Sequence, residues 1–255
     1  MENLFDVTGK VAVVTGGSRG IGGMIARGFV EHGVRTYITA RNEEELNETA
    51  RQLCAVGECI ALPANLATVA GVSAFAELIG EREDEVHILV NNAGATWGAA
   101  IDDFPESGWD KVMDLNVKSL FFLTQALLPH LRAGASADDP ARVINIGSVN
   151  GISASGMANY SYSASKAAVH HLTRHLAADL AADNINVNAI APGFFPSKMT
   201  AHMLDEQERM LEHIPRRRLG NAEDAAGTAI YLSSRASAWV TGHTLLLDGG
   251  FIANA

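Results

Sequence analysis

Short runs of β-branched and other apolar residues alternate along this chain with longer segments of helical period. The apolar runs lack strict polar alternation, which is typical of strands that are covered by helices on both faces. A repeated strand-helix-strand order predicts a parallel sheet with right-handed crossovers. The sequence therefore predicts an α/β, doubly wound parallel sheet of the Rossmann type, whose ligands bind at the carboxyl ends of the strands.

Gly, Pro, Asn and charged residues mark the ends of the predicted elements. The predicted strands are residues 10–15, 35–40, 58–63, 87–91, 142–147, 186–191 and 244–247. The predicted helices are residues 21–32, 43–55, 69–82, 107–132, 160–182 and 223–233. Since no repeat, low-complexity tract or linker divides the 255 residues, we expect one domain, 1–255.

Composition excludes several classes of protein. Hydrophobic residues make up 47% of the chain, enough for a large core, and the formal net charge is −10. That charge repels nucleic-acid phosphates and anionic lipid, and the basic run at residues 216–218 is too short to offset it. The two cysteines lack the neighbours of a zinc site, and the apolar stretch near the N-terminus is too short to target or span a membrane. We expect a cytoplasmic protein with no nucleic acid, membrane or metal partner.

A cluster of glycines follows the first predicted strand and precedes a predicted helix. The segment reads Thr-Gly-Gly-Ser-Arg-Gly-Ile-Gly over residues 15–22. Glycine lets the chain turn sharply and approach a pyrophosphate, while the helix N-terminus receives the negative charge. A plain strand-to-helix turn is the alternative, because the spacing differs from the G-x-G-x-x-G fingerprint.

Arg41 follows the second predicted strand with no acidic residue beside it. In a Rossmann unit an acid near this point binds the ribose 2′-hydroxyl of NAD, whereas a basic residue accommodates the 2′-phosphate of NADP. Arg19 adds a second guanidinium, a group suited to phosphate. The pair predicts NADP(H) as cofactor, unless both arginines are solvated surface residues.

Tyr162 and Lys166 are four residues apart near the start of a predicted helix, so their side chains lie on one face. A nearby ammonium favours the phenolate and brings the pKa of a tyrosine towards the range useful for acid-base catalysis. Tyr160 has Ala164 in the equivalent position and lacks this partner. Ser148 follows the strand at 142–147, where its hydroxyl reaches the carboxyl edge of the sheet, and a ketone oxygen could accept hydrogen bonds from both hydroxyls.

These motifs extend over nearly the whole chain. In their residues and in their order, the chain resembles the short-chain dehydrogenase/reductase family. The resemblance implies that Tyr162 is the general acid/base, that Ser148 orients the substrate oxygen, and that Lys166 binds the nicotinamide ribose and lowers the tyrosine pKa. It implies that Asn116 interrupts its helix and holds a water of the proton relay. The cofactor residues that follow from the motifs and the resemblance are Gly16, Ser18, Arg19, Gly20, Ile21, Gly22, Arg41, Asn65, Leu66, Asn92, Ala93, Gly94, Tyr162, Lys166, Pro192 and Gly193. Asn65 stands where the family usually has aspartate, so the contact with adenine is the one detail that differs.

The segment 194–214 carries two phenylalanines and several methionines, a composition suited to a lid over an aliphatic substrate. An amphipathic helix packed on the core is the alternative. Phe194, Phe195, Met199 and Met203 are the candidate substrate contacts. The sequence as a whole resembles 3-oxoacyl-thioester reductases, so the expected substrate is a 3-oxoacyl thioester. A small ketone, a sugar or polyol, or a steroid is the alternative substrate. A sensor that binds NADP without catalysis would be expected to lose the Tyr/Lys pair.

We also expect a homotetramer, or at least a dimer, built on the helices that carry Asn116 and Tyr162. The second of these helices has small and apolar side chains around much of its circumference, more than one core-facing stripe requires. These residues are Ala167, Ala168, Leu172, Leu176, Ala177 and Leu180. Family resemblance implies the same assembly. His171 and His175 have helical spacing that could bind a metal, but an interface or solvated face is the simpler interpretation.

Overall fold

The computed structural model describes residues 3–154, 156–196 and 211–254. Within them, seven parallel strands form one sheet in the order β3-β2-β1-β4-β5-β6-β7. The strands are β1 (Val11–Thr15), β2 (Arg35–Thr39), β3 (Cys59–Ala61), β4 (Ile88–Asn91), β5 (Ala141–Ile146), β6 (Ile185–Pro192) and β7 (Thr244–Leu247). The predicted doubly wound parallel sheet is confirmed, and each predicted strand overlaps an observed one.

Helices cover both faces of this sheet. They are α1 (Gly20–Glu31), α2 (Glu43–Leu53), α3 (Val69–Gly80), α4 (Glu106–Met113), α5 (Ser119–Ala133), α6 (Tyr160–Leu180) and α7 (Ala222–Ser233). The single helix predicted over 107–132 is α4 and α5 joined by a π-helical segment, Asp114–Lys118. A π segment inserts an extra residue into a helix and is frequent at functional sites.

Two apolar cores explain why the strands carry so little polar alternation. One core joins the sheet to α1, α2 and α7, and the other joins it to α3, α5 and α6. The strands β1, β4, β5 and β6 are buried along their whole length. Burial on both faces requires apolar side chains on both, as expected for a parallel sheet.

Strand order reverses at β1, which lies between β2 and β4. Successive crossovers on either side of this point run in opposite directions, so a crevice opens beyond the carboxyl ends of β1 and β4. The glycine loop after β1 and the segment after β4 border it. No helix in the described part of the chain is long and apolar enough to cross a bilayer.

Candidate active site

The glycine loop after β1 adopts a conformation that only glycine adopts readily. Gly16 and Gly20 have φ values of +64° and +54°. A Cβ at Gly16 would lie 2.8 Å from Nδ2 of Asn92, and one at Gly22 would lie 2.3 Å from the same atom. Helix α1 begins at Gly20 with no side-chain cap and no acidic residue in its first turn. Its first N–H groups are therefore available to an anion.

A cavity of about 1190 Å³ runs from this loop along the carboxyl edge of the sheet. The predicted site residues that line it are Gly16, Ser18, Arg19, Gly20, Ile21, Arg41, Leu66, Asn92, Ala93, Gly94, Ser148, Tyr162, Lys166, Pro192, Gly193, Phe194 and Phe195. Of the predicted residues that the structure describes, Gly22, Asn65 and Asn116 lie outside its lining. The structure thus places the glycine loop and the Tyr/Lys pair in one elongated cavity.

Two arginines lie at the glycine-loop end of the cavity. Arg41 is exposed at the end of β2, and Arg19 is paired through Nη1 with Oε2 of Glu45, at 3.0 Å. Glu45, in the first turn of α2, also borders the cavity. Sequence reasoning missed this acid, because its proximity to Arg19 depends on how α2 packs beside the loop.

Thr15 and Asn92 join the glycine loop to the segment after β4. Thr15 Oγ1 accepts hydrogen bonds from the N–H groups of Asn92 and Ala93, both at 2.9 Å. Asn92 Nδ2 donates to the carbonyl oxygens of Thr15 and Gly16, at 2.8 and 3.1 Å. These bonds fix the shape of the crevice floor. A polar residue at the end of an apolar strand is the signal that could have identified Thr15.

Asn65 and Gly22 lie close to the cavity without facing it. The exposed side chain of Asn65 accepts a hydrogen bond from the N–H of Ala67 at 3.2 Å. Gly22 packs against Asn92 and the carbonyl oxygen of Gly16. Asn65 therefore stabilises a local turn, and Gly22 allows α1 to approach the loop.

Ser148 and Tyr162 lie together at the other end of the cavity, where the side chain of Ser148 acts on the Tyr162 phenol in the direction that lowers its pKa. Ser148 follows β5 as the cap of a short 3₁₀ helix, Val149–Gly151, and its Oγ accepts from the N–H of Asn150 at 3.2 Å. Burial raises the pKa of Tyr162 and outweighs the opposite effect of Ser148. The phenol is therefore protonated at neutral pH.

Lys166 lies one turn further along α6 and is buried. Its Nζ donates to the carbonyl oxygen of Ile146 at 2.7 Å and lies 5.6 Å from the centre of the Tyr162 ring. Burial lowers the pKa of Lys166 to about 8. The expectation that Lys166 lowers the pKa of Tyr162 is not met, because burial raises this pKa and the group that opposes burial is Ser148.

Asn116 lies in the π-helical segment and is buried. Its amide accepts from the N–H of Ala95 at 2.8 Å and donates to Ala95 O and to Ser165 Oγ, at 3.0 and 2.9 Å. Ser165 Oγ in turn donates to the carbonyl oxygen of Tyr162 at 2.7 Å. The helix is interrupted at Asn116 as expected, and the residue ties the segment after β4 to α6. Sequence reasoning missed Ser165.

The predicted substrate residues are described only in part. Phe194 is half-buried and packs edge-on against Phe251, whereas Phe195 is buried against Gly220. Both border the cavity. Met199 and Met203 lie outside the described residues, as does most of the segment 194–214.

A nicotinamide dinucleotide phosphate fits the features of this cavity. The glycine loop brings backbone N–H groups to a surface that side chains would fill, and two guanidinium groups lie where a 2′-phosphate would bind. The opposite end holds an acid, Tyr162, beside a serine hydroxyl and an ammonium group. Among residues 3–154, 156–196 and 211–254, no three metal-ligating side chains are grouped together.

Comparison with known proteins agrees with this arrangement. Residues 16–252 match a family model described as enoyl-(acyl carrier protein) reductase. A rhamnolipid-biosynthesis 3-oxoacyl-[acyl-carrier-protein] reductase of Pseudomonas aeruginosa is 51% identical over 254 residues, 98% of this chain and 99% of the relative. A 2-dehydro-3-deoxy-D-gluconate 5-dehydrogenase of Dickeya dadantii is 38% identical over 255 residues, 98% of each chain.

A solved structure supports the same conclusion. The complex of Pseudomonas aeruginosa RhlG with NADP superposes with a TM-score of 0.95 at 51% identity, over 98% of this chain and 99% of that one. Similarity of this extent covers the glycine loop, the sheet and the segment that bears Ser148, Tyr162 and Lys166. The chain is therefore an oxidoreductase that belongs to the short-chain dehydrogenase/reductase family.

Proposed function

We propose that this protein uses NADPH to reduce the ketone of a 3-oxoacyl thioester to a secondary alcohol. The observation that carries this proposal is the grouping of Ser148, Tyr162 and Lys166 in the same cavity as the glycine loop. The thioester substrate is supported by the relative at 51% identity, a 3-oxoacyl-[acyl-carrier-protein] reductase. NADPH and acyl thioesters are metabolites of the cytoplasm, the compartment that we propose for the enzyme.

The chain's own groups bind the cofactor along the cavity. The N–H groups at the start of α1 hold the pyrophosphate, and Arg19 and Arg41 hold the 2′-phosphate. Leu66 would hold the adenine, the segment 92–94 forms the floor, and Pro192 and Gly193 would hold the nicotinamide. When bound, NADPH supplies the hydride.

Tyr162 acts as the general acid. Its hydroxyl donates a proton to the carbonyl oxygen while Ser148 donates a second hydrogen bond that orients this oxygen. The raised pKa of Tyr162 suits the reductive direction, because the phenol begins each cycle protonated. Lys166 binds the nicotinamide ribose and stabilises the phenolate that forms. Asn116 holds the backbone at Ala95, where we propose that it also binds a water of the proton relay.

The substrate end of the cavity favours an acyl chain over a polar sugar. Met157, Phe194 and Phe195 border the cavity that also holds Ser148 and Tyr162. Apolar side chains bind a hydrocarbon chain by removing its surface from water. We propose that the segment 194–214, including Met199 and Met203, forms a lid over this end.

A sugar-acid ketone is the second candidate substrate. It is favoured by the relative from Dickeya dadantii, a 2-dehydro-3-deoxy-D-gluconate 5-dehydrogenase. Reduction of such a substrate requires hydrogen-bonding groups around several hydroxyls. Thr96, Asn150 and Asn159 could supply them, because they border the cavity that also holds Ser148 and Tyr162.

A substrate panel separates the two candidates. The purified enzyme is mixed with NADPH and a 3-oxoacyl-CoA, the same acyl group on acyl carrier protein, a small ketone, or a keto-gluconate, and loss of NADPH absorbance gives kcat/KM. We expect the highest kcat/KM with one of the two thioesters, and their ratio identifies the carrier. A higher kcat/KM with the keto-gluconate would replace the proposal by the second candidate.

We also propose that the enzyme is a homotetramer built on α5 and α6. Ala164, Ala167, His171 and Ala178 are exposed along α6, a surface small enough for a helix of another subunit to approach closely. The residues predicted to form the interface differ in their exposure to solvent. Ala177 and Leu180 are buried, Ala168, Leu172 and Leu176 are half-buried, and Ala167 is exposed. Light scattering at micromolar concentration tests the assembly, and a monomeric mass would contradict it.

A further inference from the structure

His170 lies on the same face of α6 as Tyr162 and Lys166. Tyr162, Lys166 and His170 follow one another at intervals of four residues, so they lie on one face of the helix. The His170 side chain is buried, with a relative exposure of 5%. It does not border the cavity, and the chemistry described above does not use it.

The imidazole contacts the backbone of the segment that carries Ser148. The N–H of Ser148 donates to Nε2 of His170 at 3.4 Å. The backbone of Gly151 acts on the ring in the direction that raises its pKa, as an acceptor beside a ring N–H does. The bond from Ser148 thus joins His170 to the segment 148–151, with Gly151 as a second neighbour of the ring.

Two glycines allow this segment to lie against α6. A Cβ at Gly147 would lie 2.1 Å from Nε2 of His170, so the imidazole fills the space in which a side chain would stand. A Cβ at Gly151 would lie 2.6 Å from the backbone carbon of Lys166. The segment is therefore pressed onto the helix at both ends, with Ser148 between them.

These contacts require a neutral ring with its proton on Nδ1, because Nε2 accepts. Burial, together with the positive charges of Lys166 and Arg174, lowers the pKa of His170 to about 4. The backbone of Gly151 has the opposing effect. The ring is therefore neutral at the pH at which the enzyme works.

We propose that His170 is a positioning residue for Ser148, because it clamps the segment 147–151 onto α6 and so holds the Ser148 hydroxyl at the distance from Tyr162 that the reaction needs. The proposal rests on the function proposed above, since it assigns Ser148 the role of orienting the carbonyl oxygen. Loss of the clamp moves a hydroxyl that must be placed within fractions of an ångström. The effect is expected in kcat rather than in the binding of NADPH.

Hydrogen exchange tests the clamp without any substrate. His170→Phe fills the site but lacks both ring nitrogens, His170→Gln offers an amide oxygen near the position of Nε2, and His243→Phe is a control at an exposed histidine. Exchange at the Ser148 amide is compared with exchange at the Val143 amide of β5, so that global loss of stability cancels. We expect the ratio of the two rates to rise about tenfold in His170→Phe, and to stay within about threefold of native in His170→Gln. An unchanged ratio in His170→Phe would overturn the clamp.

A double-mutant cycle tests whether the clamp acts through Ser148. We expect His170→Phe alone to lower kcat about tenfold with an unchanged Kd for NADPH, and to lower it less than twofold when added to Ser148→Ala. Equal losses in the two backgrounds would show that His170 does not act through Ser148. The cycle is run with the best ketone of the substrate panel. A failed thioester proposal therefore appears in the panel, whereas a failed clamp appears in hydrogen exchange and the cycle.

Discussion

Arg19 and Glu45 form an ion pair at the mouth of the cavity, with Nη1 and Oε2 3.0 Å apart. One guanidinium that we assign to the 2′-phosphate of NADPH is thus already paired with a carboxylate. Both side chains are partly exposed, at 55% and 26%. The pair is therefore screened by solvent, and a phosphate can compete with the carboxylate for the guanidinium.

Glu45→Gln should increase the preference for NADPH. The substitution keeps the size of the side chain and removes the negative charge that opposes the 2′-phosphate. We expect the ratio of kcat/KM for NADPH to that for NADH to rise roughly threefold, equivalent to the energy of a weak exposed ion pair. Glu43→Gln, in the same turn of α2 but away from the cavity lining, is the matched control. A lower ratio in Glu45→Gln would show that Glu45 supports NADPH binding.

Arg41→Asp should reverse the discrimination. It deletes a donor to the 2′-phosphate and places a repelling charge there, whereas NADH has no phosphate at this position. Because a charge-assisted hydrogen bond contributes roughly 1.5–3 kcal/mol, kcat/KM for NADPH should fall at least tenfold, and kcat/KM for NADH should change little. Arg51→Asp is the control at an exposed arginine of α2 outside the cavity lining. Equal losses with both cofactors would contradict the assignment of Arg41.

The sequence was sufficient to predict the sheet and many of the residues that border the cavity. Strand burial and the glycine loop follow from local patterns, and Ser148, Tyr162 and Lys166 are placed by their positions at the end of β5 and on one face of α6. Residues that act on one another from different elements were harder to find. Glu45 has no distinctive local pattern, and the helical spacing of His170 does not reveal that its ring meets Ser148. Both roles depend on how α2 and α6 pack against the loops.

The Tyr162 pKa shows a second limit of reading the sequence. Helical spacing correctly placed the ammonium of Lys166 near the phenol. Spacing does not reveal that burial of the phenol outweighs the effect of neighbouring groups on its pKa. Desolvation depends on the whole surroundings of a side chain, which the spacing of two residues does not describe.

Tyr162→Phe should remove the proton donor and leave the cavity intact. General acid catalysis contributes at least about 100-fold, so kcat should fall by that factor or more while the Kd for NADPH changes little. Tyr160→Phe is the matched control, because Tyr160 is exposed and packs edge-on against Phe104. Steady-state rates and cofactor fluorescence titrations measure both effects. Similar kcat losses in the two variants would show that Tyr162 is not the acid.

The pH dependence of reduction should follow the protonation state of Lys166. Its pKa of about 8 means that the ammonium form is lost above that pH, whereas the raised pKa of Tyr162 keeps the phenol protonated. If the ammonium is required, kcat/KM for the ketone should be flat between roughly pH 6 and 7.5 and then fall by up to about tenfold per pH unit. A profile that stays flat to about pH 9.5 would mean that the charge on Lys166 is not needed.

Acid should destabilise the native protein partly through His170. The pKa of this ring falls from 6.5 to about 4 on folding, because burial and the charges of Lys166 and Arg174 oppose protonation. Between these values the unfolded chain binds a proton that the folded protein excludes, so stability is fully present above pH 6.5 and is lost as the pH falls towards 4. At pH 4.5 this linkage costs about 2.5 kcal/mol relative to neutral pH. Urea unfolding at the two pH values should therefore show a larger loss of stability for the native protein than for His170→Gln, which has no group titrating in this range at that position. Equal losses in the two proteins would show that the buried imidazole is not held neutral.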